Sequence, residues 1–218
     1  MGGCECQKAE EKFNELKNEI FSKFKSTKGT GGNNLTSENY IDTNGKPSDE
    51  FSRYIFDQIN LLREDPQSFI DMISNAKRFV TTDKTGIKIY KNKLKVALNS
   101  GEKAFDEAIE TLKKTEPMNK LIYNPKLTID LPDNESELKS KNYLVEQIQQ
   151  KLDLDMEIKS FWKDNVKDPE TCFILTVVDD YGAHAGNKRN DILDKKHKYI
   201  GISSVSIGNS FACYIVIS

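Results

Sequence analysis

The chain has 218 residues, 37% hydrophobic and 30% charged, enough for one full core with an appendage and too few for two ordinary domains. Its 32 Lys and Arg against 34 Asp and Glu leave a formal charge of -2, so no overall basic field argues for nucleic acid. No run approaches the roughly 18 apolar residues of a membrane span and the opening lacks the apolar core of a signal peptide, so the expectation is a protein kept in the cytosol.

The opening, MGGCEC, reads as a lipidation signal. Removal of Met1 exposes Gly2, and the myristoylation pattern M-G-x-x-x-[ST] is met except that Cys6 stands at its Ser/Thr position. One myristoyl chain holds a protein only reversibly; Cys4 and Cys6, beside that glycine, offer thiols for palmitoylation and a stable anchor. The competing readings are a frayed terminus with incidental cysteines and a C-x-C metal pair, which finds no further ligands nearby in sequence.

From residue 7 to 28, Phe13, Leu16, Ile20 and Phe24 recur at three- and four-residue steps, the spacing of one helical face, with Phe21 widening the stripe. Lys17, Lys23, Lys25 and Lys28 make its second half basic, which suits a helix C-terminus and anionic headgroups alike. A bilayer surface and a protein surface both fit this amphipathic helix. Residues 29–47, rich in Gly, Ser, Thr and Asn without periodicity, read as a flexible linker, and the globular domain is expected over 48–218.

Ser48 is the expected N-cap of a first helix with Phe51, Tyr54, Ile55, Ile59 and Leu62 on one face. Asp65-Pro66 caps and opens a second, DPQSFIDMISNAKRF, since proline has no amide to lose at a helix start. A polar connection holding one strand, GIKIY, leads to a third amphipathic helix, NSGEKAFDEAIETLKKTEP, and a fourth is expected across NESELKSKNYLVEQIQQKL. Asp168-Pro169 repeats the cap before ETCFILTVVDDYG, whose near-continuous apolar run predicts a buried helix. The closing HKYIGISSVSIGNSFACYIVIS predicts a hairpin turning at Gly208-Asn209. Cys172 and Cys213, in apolar surroundings, read as reduced, buried thiols. Together these elements predict an α+β fold or a layered α-β-α one.

The stretch QINLLREDPQSF resembles the first helix of the CAP superfamily (cysteine-rich secretory, antigen 5 and pathogenesis-related proteins, also called SCP domains), in which a helix carries H-N-x-x-R. Asn60 and Arg63 match that element, and Ile59 stands where its histidine would be. NSGEKAFDEAIETLKKTEPMNKLIYNPKL is similar to the segment that follows in unicellular-eukaryote versions of the domain. VVDDYGAHAGNKRNDILDKKHKYIGISSV resembles the family's D-D-G, G-H-R-x-N-I and Y-x-G-I series through Asp179, Asp180, Gly186, Asn190 or Asp191, Ile192, Tyr199, Gly201 and Ile202. The likeness spans roughly residues 50 to 217 and implies a three-layer α-β-α sandwich, with a cleft that in many members is lined by two histidines and two acids and holds a divalent metal.

The family's imidazoles are missing at both matching places. NPKLTIDLPDNESELKSKNYL contains no histidine, and the histidine of G-H-R is replaced by Asn187, or by Lys188 in a shifted match; neither substitute reproduces an imidazole ligand. Glu157 is the only nearby acid followed by isoleucine, as the family's G-E-N glutamate would be. Asp179, Asp180, His184 and Asn187 are then a vestigial cleft, against the plainer reading of paired acids on a solvated helix end; His197, in DKKHK, reads as exposed. No Ser-His-Asp or Cys-His spacing, P-loop or metal set is visible, so no cofactor, metal or catalytic residue is expected, and Trp162 reads as a core or groove anchor.

The functional expectation is a non-catalytic CAP-like binding or scaffold module, anchored by acyl chains at Gly2, Cys4 and Cys6 to the cytoplasmic face of a membrane and serving a protein partner of unknown identity. The alternatives are a structural protein docked on a cytoskeletal or ciliary, microtubule-based assembly, and a divergent hydrolase using His184 with Asp179 or Asp180.

Overall fold

A computed structural model describes residues 45–140, 143–144, 147, 159–181 and 184–218. The lipidation residues Gly2, Cys4 and Cys6, the expected helix over 7–28, most of the linker and Glu157 lie outside the described residues. The chain divides into two units, Met1–Leu35 and Thr36–Ser218, and every element below belongs to the second.

Helix α1 spans Glu50–Glu64 and buries Ile55, Phe56, Ile59 and Leu62. Its N-cap is Asp49, one residue later than expected from Ser48, because the Asp49 carboxylate accepts the Ser52 amide at 2.8 Å. Asp65 then caps a 3-10 turn, Pro66–Phe69, which continues as α2, Ile70–Lys77. The single strand expected over GIKIY is the centre of a three-stranded antiparallel sheet, β1 (Val80–Thr82), β2 (Lys88–Lys91) and β3 (Lys95–Leu98). Its outer strands are only three and four residues long, too short to carry a periodic signal of their own. Helix α3, Glu102–Lys114, is the third predicted helix; of the fourth, Glu135–Ser140 is the described stretch, here α4.

The second sheet carries the closing hairpin as predicted. Strand β6 (Tyr199–Ile207) and β7 (Ser210–Ile217) are antiparallel, with β4 (Ile122–Tyr123) parallel to β6 and β5 (Lys159–Asp164) antiparallel to β7, in the order β4-β6-β7-β5. Trp162 lies in β5 opposite Tyr214. Every residue of β7 is buried, because alternate side chains enter two different apolar clusters. Phe211, Cys213, Ile215 and Ile217 join α1, α3 and the buried helix α5 (Pro169–Val178), whereas Ala212, Tyr214 and Val216 meet Leu127, Ile129, Leu138, Tyr143 and Leu144. A strand covered on both faces reads as an unbroken apolar run instead of an alternating one, and each large side chain so buried contributes about 1.5–3 kcal/mol. Cys172 and Cys213 are free thiols in the first cluster, as expected.

Gly201 in β6 permits a close approach of neighbouring chain to this sheet. A Cβ there would stand 2.4 Å from the carbonyl carbon of Leu127, the last residue of the 3-10 turn Pro125–Leu127. In the same second cluster, the Tyr143 hydroxyl donates to that of Tyr214 at 2.6 Å and the Ser203 hydroxyl accepts the Ile129 amide at 2.8 Å, satisfying polar groups that an apolar layer would otherwise strand. The molecule is thus a mixed α and β protein, and among the described residues no helix is long and apolar enough to cross a membrane.

Candidate functional site

The expected site residues gather at the junction of α5 and α6 (Asn187–Ile192). Helix α5 ends on Asp179, held in the left-handed region at φ 49° and ψ 57°, a conformation Asp tolerates better than bulky residues. Its side chain is wholly buried, not solvated: one carboxylate oxygen accepts the Lys188 amide at 2.9 Å, and the other lies 3.3 Å from Lys188 Nζ. The Gly186 amide donates to the Asp179 carbonyl at 3.1 Å. Arg189 completes the clasp by donating to the Val177 and Val178 carbonyls at 3.0 Å each, placing a buried cation on the negative end of α5. Burial lowers the Arg189 pKa, while the nearby Asp179 and Glu107 charges oppose that shift.

Asp180 turns to a different segment. Its carboxylate accepts the amides of Ser100 at 2.9 Å and Gly101 at 3.0 Å, and its carbonyl accepts Asn99 Nδ2 at 2.7 Å. Gly101, the N-cap of α3, has φ 65° and no side chain with which to cap, so Asp180 supplies acceptors and a negative charge beside that helix start. The two neighbouring acids therefore hold two separate joints, α5 to α6 and α5 to the loop before α3.

His184 and Asn187 are exposed, and the backbone amide of the histidine donates to the Tyr181 carbonyl at 3.0 Å. Tyr181 is 60% exposed and lies beneath Lys188 Nζ, 4.9 Å from the ring centre. No hydrogen bond or ion pair joins His184 to Asp179 or Asp180 among the described residues, so the acids face into the scaffold while the imidazole stays outside it. Among the described residues no three His, Cys, Asp or Glu side chains gather to hold a metal.

The second histidine corrects the sequence reading. His197 is 3% exposed, because the charged turn that carries it is drawn onto the core by Arg63. That guanidinium, 1% exposed, donates through Nε to Asn119 O at 2.8 Å, through Nη1 to Ile192 O and to Asp194 O at 3.1 Å, and through Nη2 to His197 O at 3.3 Å. Burial lowers the Arg63 pKa and the Asp194 charge partly restores it. Asn60, one turn earlier, pairs with the main chain of Leu121 in both directions, Nδ2 to the carbonyl at 3.1 Å and the amide to Oδ1 at 2.7 Å. Asn60 and Arg63 are thus the groups that bind α1 to the chain around β4 and to the turn before β6. Arg189, inside the charged run NKRND, is a joint that the sequence analysis does not single out.

No family model, curated protein or solved structure matches this chain.

Proposed function

We propose that the protein is a non-catalytic CAP-like binding or scaffold module, held at the cytoplasmic face of a membrane by acyl chains on Gly2, Cys4 and Cys6. The observation that carries the non-catalytic reading is the engagement of Asp179 and Asp180. Both carboxylates are bound to main-chain amides, and a group so occupied is a poor general base or metal ligand because reaction would cost it those bonds. The membrane reading is supported by MGGCEC, where Gly2 and the thiols of Cys4 and Cys6 lie within the first six residues.

The finer fold assignment, a three-layer α-β-α sandwich of CAP type, draws support from two observations. Apolar clusters flank both faces of the β4-β6-β7-β5 sheet, and Asn60 and Arg63, the residues that resemble H-N-x-x-R, are buried joints of α1.

Two measurements test the function. Intact-mass spectrometry of the protein from its native cells is expected to show a myristoyl or palmitoyl increment, and flotation is expected to move the wild type with membranes while Gly2→Ala and Cys4→Ser/Cys6→Ser stay in the soluble fraction. An unmodified native mass, or identical flotation of all three forms, removes the anchor.

A further inference from the structure

Residues 77–98 carry Lys77, Arg78, Lys84, Lys88, Lys91, Lys93 and Lys95 against one carboxylate, Asp83, in a chain whose formal charge is -2. This positive charge is concentrated on one piece of structure, the β1-β2-β3 sheet and the ends of its strands. The register Val80↔Tyr90↔Val96 places those three side chains on a single face, which is packed on the main core with Tyr90 fully buried and its ring stacked on Phe105. The opposite face carries exposed Thr81 and Ala97 on either side of the buried Ile89 in one row and the exposed pair Lys91 and Lys95 in the next. Phe79 and Ile87, at the ends of β1 and β2, are 42% and 50% exposed, and the Phe79 ring also meets Tyr90 edge to face, 6.3 Å between ring centres.

The cations divide into two sets. Lys77 is paired with Asp106 and Lys93 with Asp168 and Glu170, and Lys88 Nζ donates to the Ser100 carbonyl. Arg78, Lys84, Lys91 and Lys95 are exposed and make no ion pair with another described residue, so their charge is available to a partner.

We infer that the outward face of the β1-β2-β3 sheet docks on an anionic phospholipid surface. The inference rests on the membrane reading above and assigns the globular domain its own contact with the bilayer. Exposed apolar side chains set among unpaired cations match the two layers of a membrane interface: Phe79 and Ile87 reach the acyl boundary while the ammonium groups meet lipid phosphates. Protein interfaces are depleted in lysine, and bidentate recognition of nucleic-acid phosphates favours arginine; three of the four available cations here are lysines. Each cation near an anionic leaflet strengthens partitioning by about fivefold.

The test uses the full-length chain carrying Gly2→Ala, Cys4→Ser and Cys6→Ser, so that no acyl chain contributes, and sediments it with phosphatidylcholine vesicles made with or without phosphatidylserine. Binding is expected only with phosphatidylserine, falling with added salt. It should drop by about 100-fold in Lys84→Gln/Lys91→Gln/Lys95→Gln and about tenfold in Phe79→Ser/Ile87→Ser, with unchanged circular dichroism because all five positions are exposed. Absence of binding, equal binding to neutral vesicles, or insensitivity to these substitutions overturns the proposal. Tighter binding to polyuridylate or polyglutamate that survives Phe79→Ser/Ile87→Ser also overturns it, assigning the face to nucleic acid or to an acidic protein. A negative vesicle result condemns this face and leaves the acyl anchor standing, whereas an unmodified native mass condemns the anchor and leaves the face.

Discussion

Single side chains hold this domain's joints, and the consequences are sharpest at Arg63. Its guanidinium satisfies four main-chain carbonyls from Asn119, Ile192, Asp194 and His197. Arg63→Met fills much of the same volume but leaves those acceptors without their buried donor, so urea denaturation should show a loss on the order of 3–5 kcal/mol. Arg63→Lys keeps the charge without the planar fork and should lose about half as much. Gly201→Ala tests a different cause: with backbone atoms of Leu127 in the way of a Cβ, the 3-10 turn must retreat from β6, at about 1–3 kcal/mol in the same assay. His184→Ala, at an exposed position joined to neither acid, should leave the unfolding free energy in urea unchanged within the ~0.5 kcal/mol typical of surface substitutions.

At the scale of elements, the start of α5 depends on a charged latch. Asp168 caps the helix through the Thr171 amide and hydroxyl, both at 2.8 Å, and Lys93 from the β2–β3 turn reaches Asp168 at 2.9 Å and Glu170 at 2.6 Å. Burial pushes the Asp168 carboxyl up, but Lys93 and Thr171 outweigh it and hold the pKa below the usual carboxylate range. Burial likewise pulls Lys93 down, and Glu170 with Asp168 outweigh it in the upward direction. The same acids add to burial in raising Tyr54 well above the ordinary tyrosine value. A depressed carboxylate stabilises the fold above its unfolded pKa of about 4 and loses that contribution as pH falls through the lower folded value. A raised lysine contributes below about 10.4 and loses it as pH climbs through the higher folded value. The latch is therefore complete between those limits. Melting temperature followed from pH 7 downward should fall less in Asp168→Asn than in wild type below about pH 4, because the amide can still cap the helix but no longer titrates.

For the molecule as a whole, α1, α2, α3, the closing hairpin and the buried α5 were legible because each carries a strong local signal, whereas the six-residue α6 was not anticipated. The cap pairs Asp65-Pro66 and Asp168-Pro169 announced two helix starts, and the apolar spacing of α1 and α3 announced the faces they bury. Strands β1, β3 and β4 were not legible, having two to four residues each and depending on partners distant in sequence or in register. The site was half legible. Asp179 and Asp180 stood out as a pair, yet only the packing separates them into one wholly buried clasp on Lys188 and one support for the loop before α3. His197 misled because a run of lysines around an imidazole looks solvated, and nothing nearby in sequence points to a guanidinium 134 positions away in the chain.

What the sequence determined unaided was local: where most of the helices begin and which of their faces are apolar. What only the tertiary structure decided was the destination of each polar group. A carboxylate or guanidinium can satisfy its hydrogen bonds with water or with main chain from any part of the fold, and that choice is set by burial, which a linear string does not specify. The same holds for the cations of residues 77–98: their number is written in the sequence, but which stand free on one sheet face and which are spent in ion pairs follows from the register of three short strands and the packing of their neighbours.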